Sequence, residues 1–156
     1  MRFEAVKQRG PRKRGIPDRG TRLYRKGVAD REELRRVAIR DAGSREVQGL
    51  DAALSLILDT LEPDERVMGA ATGAWFSRRR CLAVATSRKL AVADSRRVEQ
   101  FPYSNMLDVE YGESWRKATL LVRAPGRVAD IRGVQQDRAR NLHALIQTAR
   151  SALVAR

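Results

Sequence analysis

A chain of 156 residues with one cysteine, Cys81, and one histidine, His143, is short of the two side chains that most often build zinc sites. That scarcity excludes a Cys/His zinc centre and any disulfide within the chain, and a single thiol fits a reducing compartment. No apolar run approaches the ~18 residues that a membrane-spanning helix needs, and the basic beginning lacks the apolar middle of a secretory signal. Residues 1–27 are rich in Arg and poor in acid, as organelle transit segments are, but they contain no Ser. The expectation is a soluble, cytoplasmic protein without cofactor or metal.

Acidic residues are also few, and their shortage is local. The chain carries 32 Lys and Arg against 19 Asp and Glu, a net charge of +13. Residues 1–27 hold ten basic groups against Glu4 and Asp18, which places +8 of that charge there. Such a segment has too little apolar surface to offset the entropy of ordering, so residues 1–29 read as a flexible basic arm. Its Arg9, Arg12, Lys13, Arg14, Arg19, Arg22, Arg25 and Lys26 are candidate anion-binding residues. Only five of the 32 basic residues are Lys. Arginine's planar fork matches phosphate in two-point geometry, although a genome rich in G and C produces the same bias.

Beyond the arm the chain is foldable. Asp30 with Glu33 three residues on forms a capping box, Leu34, Val37 and Ala38 share a helical face, and Gly43 ends it. Ser44 is placed to cap a second helix, in which Val47, Leu50, Leu54, Ile57, Leu58 and Leu61 recur at helical spacing until Pro63. Residues 30–61 therefore read as a helical hairpin segment. From Arg66 the period becomes two, in seven short runs from "RVMGAATGAWF" to "RVADIRG" separated by turn-forming residues. In "MLDVEY", Leu107, Val109 and Tyr111 are expected on one face, with Met106, Asp108 and Glu110 on the other. Leu142, Leu145, Ile146, Ala149 and Leu153 then form the stripe of a closing helix that plugs the open end of a barrel.

Three stretches carry a resemblance. "LEPDERV", "VATSRKLAVAD" and "FPYSNMLDVEYGE", with the closing helix, are similar to the bacterial pleckstrin-homology-like domains. The matching positions are Leu61, Pro63 and Glu65; Thr86, Ser87, Lys89 and Leu90; and Phe101, Pro102, Tyr103, Met106 and Val109. The residues explain themselves: Thr86 and Ser87 favour a tight reversal, Pro102 fixes φ before a turn, and Tyr103 buries a ring while its hydroxyl reaches backbone. The resemblance covers residues 60–153 and implies an α+β fold: a seven-stranded, bent antiparallel barrel capped by a C-terminal helix over residues 62–156. It also implies binding rather than catalysis, and a tendency to self-associate.

Candidate sites divide between anion contacts and partner contacts. Arg78, Arg79 and Arg80 fall in the turn after the first strand, where lipid-binding members of the wider family hold an inositol phosphate with a Lys from that strand; this first strand has none. Arg88, Lys89, Arg96 and Arg97 sit in similar turns. A solvated hairpin tip is the competing reading for all of them. The arm would bind nucleic acid by counterion release, without sequence preference. A membrane surface is the rival polyanion, but Phe3, Ile16, Leu23 and Tyr24 are scattered singly.

Helix, "DAGS", helix suggests a helix-turn-helix, yet the second helix presents Asp51 and Asp59 where a recognition helix needs basic residues. Trp75 reads as core and Trp115 as an exposed anchor for a protein partner. Asp108 and Glu110 have the spacing of an acid and base pair, but no nucleophile accompanies them. Nothing points to an enzyme. The expected function is a non-catalytic module that engages a polyanion, nucleic acid before membrane, with protein assembly or self-association as the alternative and a membrane adaptor third.

Overall fold

The computed structural model describes residues 30–76 and 78–154. Asp30 caps the first helix, α1 (Arg31–Ala42), its Oδ1 accepting from the Glu33 amide at 2.8 Å. Leu34, Val37, Ala38 and Ala42 form the buried face, and Gly43 ends the helix at φ +95°. The expected second helix is two pieces, α2 (Ser44–Val47) and α3 (Asp51–Leu58). The break lies at Gly49, whose φ of +85° is a left-handed conformation that only glycine adopts cheaply. Leu61 lies beyond the helix, and Ser44 makes no capping bond. Helical spacing ran across the break because Val47, Leu50, Leu54 and Ile57 are buried in one cluster regardless.

The strands are β1 (Val67–Trp75), β2 (Arg79–Thr86), β3 (Lys89–Ala93), β4 (Val98–Pro102), β5 (Asp108–Ser114), β6 (Lys117–Ala124) and β7 (Arg127–Gln135), and α4 (Gln136–Val154) comes last. They form one antiparallel sheet of seven in the order β4-β3-β2-β1-β7-β6-β5. Two meanders, β1 to β4 and β5 to β7, join where Ala74 pairs with Arg132. This is the seven-stranded α+β architecture that the resemblance implies. Gly73 permits the joint, because a Cβ there would lie 2.7 Å from the Arg132 carbonyl oxygen and 2.9 Å from the Ile131 and Val134 methyls.

Two cores share the first meander. Along β2, Cys81, Ala83 and Ala85 face the barrel interior, which α4 fills with Leu142 and Ile146. Leu82 and Val84 face outward, onto Leu34, Leu54 and Ile57 of the helices. Burial on both faces is why β2 and β3 read as nearly continuous apolar runs rather than alternating ones.

One face assignment needs correction. Leu107 is 60% exposed and precedes the strand, whereas Met106 is buried in the interior. A short 3-10 turn at Tyr103–Asn105 resets the register before β5 begins, so period-two counting from Met106 fails. The turn between β5 and β6 is only Trp115 and Arg116, since β5 runs to Ser114 and β6 begins at Lys117.

Candidate anion-binding loop end

The turn cations do not share one environment. Lys89 is buried, its Nζ donating to Glu65 Oε1 at 3.2 Å and to the Thr60 carbonyl at 2.6 Å. Glu65, fully buried, also accepts from the Thr86 hydroxyl and from the Glu62 amide. Tyr103 donates to the Thr86 carbonyl at 2.8 Å, the backbone contact expected of it; burial, and then the nearby Glu65 carboxylate, push its hydroxyl pKa up. Four of the residues that carried the resemblance, Glu65, Thr86, Lys89 and Tyr103, thus converge on one buried polar knot that holds the β2–β3 turn to the segment before β1, while Leu90, Phe101, Met106 and Val109 lie in the apolar core. That knot is structural. Arg88 pairs with Asp64.

Arg80 is committed elsewhere as well. Its guanidinium donates to the carbonyls of Gln48, at 3.1 Å, and Glu46, and so ties β2 to the α2–α3 turn. A run of three arginines does not make one patch, because alternate residues of a strand point to opposite faces. Arg80 lies on the helix side, and Arg79 on the other.

The remaining turn cations gather at one end of the barrel. The Arg97 guanidinium stacks over the Phe76 ring at 4.3 Å, bringing the β3–β4 turn against the β1–β2 turn. Asp94, buried beneath, shapes the β3–β4 turn by accepting from the Arg96 and Arg97 amides at 2.8 and 2.9 Å. Arg78 lines an open cavity of about 560 Å³ with Trp75, Phe76, Val128 and Arg132. Arg127 stacks over Phe101 at 4.7 Å and donates to the Gln100 carbonyl at 2.7 Å, drawing the start of β7 against β4. Among the described residues, Arg78, Arg79, Arg96, Arg97 and Arg127 make no ion pair, unlike Arg35, Arg40, Arg88, Arg123, Arg132 and Arg140; Arg31, Arg36, Arg45, Arg66, Arg80, Arg116, Arg138 and Arg150 make none either, so what distinguishes the five is that the turns gather them at one end. Five cations without a carboxylate partner therefore stand on these turns. Sequence reading placed Arg78 and Arg79 here, but missed Arg127 and the aromatic support of Arg97, both of which depend on cross-strand contacts.

The other candidates have definite places. Trp75 is core, at 2% exposure, and Trp115 is 81% exposed with the Arg116 guanidinium 4.5 Å over its ring. His143 lies with Nε2 3.2 Å from the Val109 carbonyl, which can only accept, so Nε2 carries the proton. Asp108 and Glu110 both bind Arg123, at 3.1 and 2.7 Å. The arm arginines and lysines, Arg9 to Lys26, lie outside the described residues. Among the described residues no cluster of His, Cys, Asp and Glu could hold a metal ion, and no helix is long and apolar enough to cross a membrane.

The architecture defines the class: an α+β fold, with seven antiparallel strands in two meanders and a C-terminal helix against the interior. No protein-family model and no curated protein matches the chain. Among solved structures, it is similar to an N-terminally truncated crystal structure of the linker-DH/PH domains of p115-RhoGEF, at 12% identity and a TM-score of 0.45. The match covers 78% of this chain and 40% of that one, so it spans less than half of the neighbour's length.

Proposed function

We propose that this chain is a non-catalytic binding module of the bacterial pleckstrin-homology-like kind, which engages a polyanion, nucleic acid in particular, through its basic arm and the arginines of the loop end. One observation carries the reading: five arginines free of carboxylate partners sit on turns brought together by Phe76, Val128 and Gln100. An arginine paired with a carboxylate must give up an ion pair to bind phosphate; Arg78, Arg79, Arg96 and Arg97 give up none, and Arg127 gives up only its bond to the Gln100 carbonyl. The +8 on residues 1–27 adds a second, sequence-independent source of attraction.

Salt dependence tests it. Fluorescence anisotropy with labelled DNA is measured at about 50 and about 200 mM salt, for the full chain and for a chain beginning at Asp30. Affinity should fall steeply with salt, with a log–log slope of about −0.9 per phosphate neutralised on duplex DNA, and both removal of the arm and Arg78→Ala with Arg97→Ala should flatten it. No binding by the full chain at the lower salt would end the proposal.

Protein assembly, the second reading, rests on Trp115 alone. Strand addition gains little support, because the edge carbonyls of Gln100, Leu107 and Val109 are already taken by Arg127, Arg150 and His143.

A further inference from the structure

We infer that the loop end takes single-stranded nucleic acid, with Phe76 as a base-stacking platform beside the arginine cluster and Trp115, on the β5–β6 turn at the other end of β6 from Arg127, as a second platform for the strand beyond it. The inference rests on the polyanion reading and specifies its ligand.

Phe76 and Trp115 are the two described aromatic residues that stand largely exposed, at 39% and 81%. Both lie at hairpin tips, and both are built alike. Phe76 has φ +40° and Arg116, next to Trp115, has φ +67°, left-handed conformations that cost non-glycine residues energy. Each ring carries a guanidinium on one face, Arg97 on Phe76 and Arg116 on Trp115. Trp75 adds an inner support to Phe76, with ring centroids 4.4 Å apart and planes tilted by 46°. Because Trp75 and the Arg97 guanidinium both lie against the Phe76 ring, a base would stack there as the guanidinium swings off the ring to a phosphate, so one movement supplies the flat face and the charge contact together.

The neighbouring cavity suits the same ligand. Its volume of about 560 Å³ lies within the range of small-molecule pockets, and Trp75, Phe76 and Val128 give it an apolar floor, while its rim holds Arg78 and the Arg132–Asp130 ion pair, which leaves Arg78 as the unpaired cation. Bases in a duplex are stacked on each other and have no free face to offer. Unstacked bases gain from an aromatic platform whatever their sequence, and an arginine against the ring adds to it. A membrane is the less fitting occupant, because inserting Phe76 into hydrocarbon would drag Arg97 and its neighbours Arg78 and Arg79 with it.

The test uses the full chain and a fluorescein-labelled DNA of about 20 nucleotides, single-stranded or annealed to its complement, read by anisotropy. Single-stranded DNA should bind more tightly than duplex. Phe76→Ala and Trp115→Ala should each weaken it by about 5- to 100-fold and narrow the gap between the two forms, with the salt slope preserved. Phe76→Trp should restore binding, which separates stacking from misfolding, and circular dichroism checks that each variant is folded. Duplex binding as tight as single-stranded, or alanine variants at wild-type affinity, would overturn the stacking inference and leave the polyanion reading standing. Binding to phosphatidylserine-containing vesicles without any binding to DNA would overturn both.

Discussion

Lys89 and Glu65 show how far one buried contact decides. Their side chains are 7% and 0% exposed and lie 3.2 Å apart, with further hydrogen bonds from Lys89 to the Thr60 carbonyl and to Glu65 from the Glu62 amide and the Thr86 hydroxyl. Removing one partner of such a pair leaves a charge buried without its counterion. Lys89→Met should therefore cost about 3–5 kcal/mol, and the double change with Glu65→Leu should recover much of it; urea denaturation measures both. Cys81 offers a second prediction. Burial pushes its thiol up to about 12, from an ordinary value near 9, and Tyr103 is raised as well, also by burial. Folding thus favours the protonated thiol, so this contribution is whole below about pH 9 and lost as pH rises toward 12, at up to about 1.4 kcal/mol per unit. Stability from urea titrations at pH 8 to 11 should fall, less steeply in Cys81→Ala. The native thiol should also resist alkylation at pH 8 until the protein unfolds.

At the scale of elements, the joint between meanders is the sensitive place. Adding a methyl at Gly73 meets backbone, the Arg132 carbonyl oxygen at 2.7 Å, which cannot swing away as a side chain would. Gly73→Ala should destabilise by about 1–3 kcal/mol as an overpacking change, while Gly112→Ala, with nothing within 4 Å, should stay within about 0.5 kcal/mol. Thermal melts of the two variants check the contrast. Loss of the cap in Asp30→Ala should cost about 1 kcal/mol. Legibility followed the same divide. The Asp30 cap, the run that becomes β1, and the Leu142 and Ile146 part of the α4 stripe were readable because each depends on residues close in sequence, whereas Leu153, expected in that stripe, is 39% exposed. The break at Gly49 and the reset before β5 were not, since a glycine's φ and a 3-10 turn answer to what packs around them.

For the whole molecule, the helices and the barrel are joined through β2 and β3, whose two faces serve two cores. Neither core can lose these strands without the other losing half its wall. Unfolding should accordingly be a single transition, with far-ultraviolet circular dichroism and tryptophan fluorescence coincident, and separated midpoints would refute the shared core. Leu82→Ala, in the outward core, should cost about 2–5 kcal/mol and shift both signals together.

The sequence by itself determined the concentration of charge in residues 1–27 and the order of a helical segment, seven strands and a closing helix, because composition and periodicity are local properties. Tertiary structure alone decided which arginines are free. Arg80 and Lys89 stand in turn-like runs with Arg79 and Arg88, yet Arg80 is bound to helix-turn carbonyls and Lys89 is buried, while Arg127 joins the loop end from another hairpin. Whether a cation is available depends on what the fold has already placed against it, and strand neighbours point to opposite faces before any contact is made.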